Sequence, residues 1–306
     1  MAEAPPRAEA AGRRRSWRDQ RLGPLFILPA TAMLVAVLVF PALMTVMYSV
    51  SPAGGAGGAA GGGLTLEHYR KAFADPVLAQ TFRNTFAFVG WSLVGHLLLG
   101  LALALALNQA LPGQTVFRLI ALVPWTIPDV VAGIVFRWIL NPIHGSLNPL
   151  LAGLLPGFPS DFSWLSSPAL AFPSVILANV WRGYALVMVM LLAGLMAIPQ
   201  ELYEAAAVDG AGRLRRFAHV TLPGLRTIIL IALALDMVWE FRRFALVMTM
   251  TSGGPGTLTE VLSTLVYKSY FQFFTFEYAS AMAILMSVVL LILSLPYIVL
   301  VGGGRE

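Results

Sequence analysis

The chain has 306 residues, of which 58% are hydrophobic and only 11% are charged, and a mean hydropathy of +0.78 indicates that lipid is its main solvent. The absence of cysteine excludes disulfides, thiol catalysis and Cys-based metal sites. The net charge of +5 does not indicate a nucleic-acid partner, because six basic residues crowd into Arg7–Arg21, directly before the first apolar segment.

Six segments are long and apolar enough to cross a bilayer, which takes about 20 residues in a helix. They are Leu25–Val50, Asn84–Gln109, Val116–Leu140, Ala169–Ile198, Thr227–Met250 and Tyr278–Val301. The first is longer than the apolar core of a signal peptide, so we interpret it as a retained anchor. The alternative is a cleaved signal peptide, because the small-residue tract Ala53–Gly63 that follows could mimic a cleavage site. Pro124 and Pro128 predict a kinked or broken third span. The sequence therefore predicts an all-α, polytopic transmembrane helical bundle.

Lysine and arginine are unequally distributed between the connections, and this predicts the orientation. With the N-terminus in the cytoplasm, the inner segments hold the six early arginines, Arg118, Arg213, Arg215, Arg216, Arg226 and Arg305. The outer connections hold only Arg70, Lys71 and Lys268. We expect a multi-pass bacterial inner-membrane protein with both termini in the cytoplasm. Residues 1–24 would be a basic cytoplasmic tail and residues 25–306 a single membrane domain.

The polar connection between spans four and five, residues 200–226, is predicted to be cytoplasmic and to form two short helices. Glu201–Val208 consists of strong helix formers with acidic residues near its start, and Asp209-Gly210 predicts a turn or helix end. A second amphipathic helix follows, which Pro223 is expected to stop. Composition alone leaves two interpretations open: a helix lying on anionic lipid, or a rigid element that docks on a cytoplasmic partner.

Span five carries charged residues that are costly at bilayer depth and that usually face a cavity or a partner. Asp236, Glu240 and Arg243 share one helical face at i, i+4 and i+7, with Trp239 beside Arg243. Aromatic rings next to charged groups are typical of a sugar site, and a structural Glu240–Arg243 ion pair is the alternative. Arg242 is expected to point elsewhere, to a neighbouring subunit or the interface. His96, in span two, is expected to pack or hydrogen-bond, since the four histidines lack metal-binding spacing.

The order of residues in segment 200–226 resembles the EAA loop of permease subunits in ATP-binding-cassette (ABC) importers. The segment matches the motif E-A-A-x-x-D-G-A-x₅-F-x₄-L-P through Glu204-Ala205-Ala206, Asp209-Gly210-Ala211, Phe217 and Leu222-Pro223. The resemblance implies a type I importer permease fold, with the first short helix seated in a cleft of the ATPase subunit. The residues implied in this coupling are Glu204, Ala205, Ala206, Asp209 and Gly210.

Three further segments resemble the carbohydrate branch of these permeases, which includes the maltose permease. They are Trp239–Phe244, Thr251–Pro255 and Trp181–Tyr184. The resemblance implies that a sugar lies near Arg182, Gly183, Leu186, Asp236, Trp239, Glu240 and Arg243. The maltose permease has asparagines where Glu240 and Arg243 stand here. One hypothesis is therefore that Arg182 and Arg243 face an acidic ligand, such as a uronate or glycerol phosphate.

The implied partners are a second permease subunit, two cytoplasmic ATPase subunits and an extracytoplasmic solute-binding protein. The chain has no nucleotide-binding motif G-x-x-x-x-G-K-[ST], so we expect ATP and Mg²⁺ to bind to the partner ATPase. We therefore expect this chain to be a transport subunit and not an enzyme. Residues 141–168 and 251–277 would contact the binding protein. A permease for a non-sugar solute, such as glycerol phosphate or an amino acid, and a secondary transporter are the alternatives.

Overall fold

The computed structural model describes residues 17–54, 63–109 and 112–302. The predictions for residues 1–16, for most of the small-residue tract after the first span and for Arg305 lie outside the described residues. The chain divides into two compact units, Met1–Met47 and Tyr48–Glu306, and each is considered by itself.

The described residues form helices and no β-strand, as the all-α prediction requires. In chain order the helices are α1 (Trp17–Leu34), α2 (Phe40–Ser49), α3 (Glu67–Ala74), α4 (Pro76–Leu107), α5 (Gln114–Thr126), α6 (Asp129–Ile139), α7 (Leu147–Leu154), α8 (Ala171–Ala197), α9 (Gln200–Val208), α10 (Arg213–Arg216), α11 (Leu222–Phe241), α12 (Ala245–Met250), α13 (Leu262–Phe271) and α14 (Phe276–Gly302). Two π-helical segments, Val35–Val39 and Phe217–Thr221, join α1 to α2 and α10 to α11.

Five helical stretches in the described part of the chain are long and apolar enough to cross a membrane: Phe26–Ser49, Pro76–Leu107, Ala171–Ala197, Arg213–Phe241 and Phe276–Pro296. Helices α5 and α6 make a sixth span if they are counted together, and they are bent by 92°. The prediction of six spans with a broken third span is therefore confirmed. Span two begins earlier than predicted because Asp75 caps α4: its carboxylate accepts a hydrogen bond of 2.8 Å from the Val77 amide.

Helices α4 and α8 pack closely because small residues of α4 lie in their contact. A Cβ atom at Gly100 would lie only 3.0 Å from the Met188 backbone nitrogen and 3.2 Å from the Tyr184 carbonyl oxygen. Helices in lipid associate through such small residues, since the hydrophobic effect does not drive one apolar helix against another there. The α4–α8 pair is thus the frame on which the polar residues of these two helices are placed.

The connection between α12 and α13 is folded against α4 by buried hydrogen bonds. Asn84 donates to the carbonyl oxygens of Thr257, at 2.9 Å, and Glu260, at 3.0 Å. Lys268 forms an ion pair with the buried Glu260 carboxylate. Because its backbone groups are paired to neighbouring elements, this connection is a fixed surface rather than a loose link.

Replacing Gly100 with valine is expected to lower the free energy of unfolding by about 1–3 kcal/mol, because the added methyl groups meet the backbone of α8. Gly90 lies on the same helix, and a Cβ atom placed there would have nothing within 4 Å, so Gly90→Val is the matched control for helix propensity. Thermal unfolding in detergent, followed by fluorescence, measures the difference. Equal midpoints for the two variants would contradict the close α4–α8 contact.

Candidate functional site

Spans three and five each contain a break in the helix, and the two breaks lie close together in the fold. Span three is interrupted between α5 and α6, where Pro128 precedes the first residue of α6. Span five ends at Phe241 and resumes as α12 at Ala245, so the predicted continuous helix Thr227–Met250 is wrong. Non-helical backbone at membrane depth is tolerated where protein buries it or where it lines a cavity.

The break in span five has no Pro or Gly signal in the sequence, and tertiary contacts explain it. The amides of Arg242 and Arg243 hydrogen-bond to carbonyls three residues back, at 3.2 and 3.0 Å, which tightens and ends the helix. The carbonyl oxygen of Arg243 accepts a hydrogen bond of 2.7 Å from the Ser263 hydroxyl of α13. The guanidinium of Arg243 is then drawn towards α6.

Asp129 is the common partner of two arginines and joins three spans. Its Oδ1 lies 2.6 Å from Arg182 Nε of α8, and its Oδ2 accepts a hydrogen bond of 2.9 Å from Arg243 Nη1. Arg243 also forms an ion pair with Glu240, as the alternative interpretation of span five required. The sequence analysis missed Asp129, although a single acid directly after Pro128 in an apolar span was a usable signal.

Behind these ion pairs, a second set of buried polar groups connects α4, α8 and α11. The Asn179 amide donates to Ser92 Oγ at 2.9 Å and to Glu240 Oε2 at 2.5 Å. His96 Nδ1 lies 2.7 Å from Asp236 Oδ2, and His96 Nε2 lies 3.2 Å from the Asn179 carbonyl oxygen. The expectation that His96 hydrogen-bonds is confirmed. Asp236 and Glu240 are 2% and 1% exposed, so both act from inside the bundle.

A cavity of about 460 Å³ opens where the two broken spans meet. Its lining residues are Trp125, Asp129, Arg182, Trp239, Arg242 and Arg243. Three of the predicted substrate residues, Arg182, Trp239 and Arg243, are brought together here. Arg242 lines the same cavity, and its side chain is exposed, apart from the buried face of Asp236, Glu240 and Arg243. A volume of this size lies within the usual range of small-molecule sites.

The other predicted substrate residues do not line this cavity. Asp236 and Glu240 lie in the buried network behind it. Gly183 packs directly against the ring of His96, which a Cβ atom would overlap, and Leu186 is half-buried further along α8. The requirement for glycine at this position therefore follows from close helix packing with His96.

The predicted coupling residues lie on and after α9, a helix with no buried residue. Glu204 and Ala205 are exposed and Ala206 is half-buried. After Asp209, the chain turns through Gly210 at φ = +77°, with the amides of Gly210 and Ala211 bonded to the carbonyls of Ala207 and Ala206. This is a Schellman helix end, in which a left-handed residue is required and glycine adopts it without strain.

The second helix of this segment does not stop at Pro223, so that prediction is wrong. It continues from α10 through the π-helical turn Phe217–Thr221 into α11. The Leu222 amide bonds to the Phe217 carbonyl, five residues back, and this wider turn accommodates the proline that follows it. Tyr203 of α9 hydrogen-bonds to Thr221 at 3.1 Å, which ties α9 to the base of span five.

Residues 96–302 match the family model described as binding-protein-dependent transport system inner membrane component. The chain is 35% identical over 268 residues to the sulfoquinovosyl glycerol transport system permease protein SmoG of Agrobacterium fabrum, covering 88% of this chain and 86% of that protein. It is 32% identical over 294 residues to the trehalose/maltose transport system permease protein MalF of Thermococcus litoralis, covering 92% and 94%.

A solved structure shares the fold. It is a bacterial alginate ABC transporter in complex with alginate pentasaccharide-bound periplasmic protein, and one of its chains matches with a TM-score of 0.79 and 24% identity. The match covers 92% of this chain and 96% of that chain. The expected fold of an ABC importer permease is therefore confirmed.

Replacing Asp129 with asparagine is expected to lower the free energy of unfolding by about 1.5–3 kcal/mol, because Arg182 loses its carboxylate and Arg243 keeps only Glu240. The loss is smaller than that for a fully buried pair because the Asp129 side chain is 24% exposed. Asp161→Asn removes an exposed acid that makes no ion pair among the described residues and is the control. Equal thermal midpoints for the two variants would show that Asp129 does not join the spans.

Proposed function

We propose that this chain, which belongs to the family of binding-protein-dependent transport system inner membrane components, is one of two permease subunits of an ATP-driven importer for a sugar or sugar derivative. Members of this family are transport components of the membrane rather than enzymes. The observation that carries the sugar assignment is the cavity, where two indole rings and several charged groups face one space at the breaks of two spans.

The cavity suits a sugar because a sugar has both an apolar C–H side and polar hydroxyl groups. Trp125 and Trp239, which are 40% and 44% exposed, offer apolar ring faces to the C–H side of a pyranose. Asp129 and the arginines offer acceptors and donors to its hydroxyl groups. The relatives named above are, by name, permeases for sulfoquinovosyl glycerol and for trehalose and maltose, which supports the same substrate class.

Within this proposal the predicted site residues divide into two groups. Arg182, Trp239 and Arg243 contact the substrate. Asp236, Glu240 and Gly183 belong to the packed network behind those three residues, and Leu186 lies further along α8 and does not line the cavity. A carboxylate that is almost fully buried and already hydrogen-bonded, such as Glu240, is poorly placed to reach a ligand, so its part is to position Arg243.

We place the ATPase contact on α9. Its exposed residues Glu204 and Val208, four positions apart, give one helix face both acidic and apolar character, and α9 has no buried residue. With this segment and both termini in the cytoplasm, the chain spans the bacterial inner membrane as a single domain, residues 25–306, with residues 1–24 as a tail. Two ATPase subunits carry ATP and Mg²⁺, a second permease completes the cavity, and an external binding protein delivers the substrate.

The contacts between α9 and the cavity run along a single helix. Tyr203 of α9 bonds to Thr221, and from there one helix runs without interruption to Glu240, the partner of Arg243. A displacement of α9 when the ATPases close would therefore move the cavity wall formed by span five against Asp129 and Arg182 of the neighbouring spans. This is the alternating-access motion that the proposal requires.

Reconstitution tests the function directly. The chain is assembled with its partner permease and ATPase subunits in proteoliposomes, and the cognate binding protein is added with sugars that calorimetry shows it to bind. ATP-dependent accumulation of a labelled sugar is the expected result. ATP-dependent uptake of an amino acid or of glycerol phosphate, with no sugar uptake, would favour the non-sugar alternative. Uptake without nucleotide would indicate a secondary transporter.

Replacing Gly210 with alanine is expected to reduce ATP-dependent uptake several-fold, because the left-handed backbone at φ = +77° costs about 1–2 kcal/mol with a Cβ atom and the end of α9 shifts. Gly212 has an extended backbone and open space within 4 Å of where a Cβ atom would lie, so Gly212→Ala is the matched control. Uptake and ATP hydrolysis by the assembled complex are measured together. Equal uptake by the two variants would contradict a coupling role for this turn.

A further inference from the structure

The charges around the cavity do not cancel, and the excess lies on one residue. Arg182 and Arg243 share Asp129, and Arg243 has Glu240 as a second partner. Arg242 lines the same cavity, is exposed and has no ion-pair partner among the described residues. The three guanidiniums of the lining therefore have two carboxylates as ion-pair partners, Asp129 in the lining and Glu240 behind it, and Arg242 is left without an internal counter-charge among the described residues.

We infer that Arg242 binds an anionic group of the transported sugar and that the substrate class is therefore acidic sugars bearing a carboxylate, sulfonate or phosphate. The inference rests on the proposed function and deepens it. Arg242 directly follows Phe241, the last residue of the apolar stretch of span five, and charged residues beside membrane spans usually face a cavity, a ligand or a partner. A guanidinium presents a planar fork of donors that matches two oxygens of such a group.

The neighbours of Arg242 explain why it, rather than Arg182 or Arg243, is the arginine that holds the anionic group of the ligand. The Arg243 side chain is 7% exposed and its donors point at Asp129 and Glu240. The Arg182 side chain is 14% exposed and lies against Asp129. Binding an anion through Arg243 would require breaking one of its ion pairs, and an anion at Arg182 would lie beside the like-charged Asp129 carboxylate, whereas Arg242 gains its first ion pair.

The indole rings fix the part of the ligand that carries the charge. Trp239 lies three residues before Arg242, and Trp125 lines the cavity from α5. A pyranose resting on an indole face can place one exocyclic group at the guanidinium while its ring hydroxyls reach Asp129. The cavity thus selects a ring with one anionic substituent, and a fully polyanionic ligand would meet the Asp129 carboxylate unfavourably.

The test measures ligand binding to the transporter itself, because the binding protein imposes its own selectivity. The complete complex of both permeases and the ATPase subunits is purified in detergent without the binding protein. Equilibrium binding is measured for methyl glucoside, methyl glucuronide, glucose 6-phosphate and the 6-sulfonate of methyl glucoside. At least one anionic probe is expected to bind the wild-type complex about tenfold or more tightly than the neutral glucoside, with a preference that weakens at high salt.

Three variants decide whether Arg242 is responsible. Arg242→Gln is expected to lower the preference for the anionic probe about tenfold, and Arg242→Lys to retain most of it because the charge remains. Arg83→Gln removes an exposed arginine of α4 that does not line the cavity, and it should bind like the wild type. Each complex is first checked by size-exclusion chromatography.

Three results would overturn the inference: equal binding of neutral and anionic probes by the wild type, a charge preference that survives in Arg242→Gln, or loss of assembly with the second permease in that variant. The last result would assign the charge of Arg242 to the subunit contact. Failure of the proposed function is a separate observation. It would show as the absence of ATP-dependent sugar uptake in proteoliposomes, whereas uptake without charge preference contradicts only the role of Arg242.

Discussion

The bridge from Asp129 to Arg182 and Arg243 is the constraint on which the rest of this site depends. Lipid offers no water to a charged group, so each buried charge has to find a counter-charge within the protein. Asp129 provides it for two arginines and thereby fixes α6 against α8 and against the end of α11. The exposed part of the same carboxylate faces the cavity, so one group both joins the spans and offers an acceptor to a ligand.

The two helix breaks follow from the same constraint. Pro128 removes a backbone donor and lets α6 begin with Asp129 at the level of Arg182, while the break after Phe241 lets Arg243 leave the helical path and reach α6. The freed Arg243 carbonyl is bonded to Ser263, so the irregular backbone carries little cost. Broken spans beside charged side chains are a recurrent way to build a membrane substrate site, because only backbone that lines a cavity can be irregular at this depth.

The sequence predicted those features that depend on local pattern. Apolar length located the spans, Pro128 located the break in span three, and residue order identified the segment around α9. It could not reveal Asp129 as the partner of Arg243, since the two lie 114 residues apart and helical periodicity relates only residues of one helix. Nor could it show that Arg242 and Arg243 line one cavity, because it treated span five as a continuous helix where the structure has a break. The prediction that Pro223 ends the helix was wrong for a different reason. The π-helical turn Phe217–Thr221 accommodates a proline that a regular α-helix would not.

The polar groups of span five therefore make contacts at both ends of one helix, with α9 at one end and with the residues around the cavity at the other. At one end, Thr221 holds α9 through Tyr203; at the other, Glu240 holds Arg243 and, through Asn179, the α4–α8 frame. Under the proposed function, a displacement of α9 would pass along this helix, because polar contacts hold it at both ends. It has to strain or re-form the contacts with Asp129, the bridge that borders the cavity. The segment that we propose to contact the ATPase is thus connected to the cavity by a chain of named contacts, and Arg242, which takes part in none of them, is the arginine that we infer to bind the anionic group of the ligand.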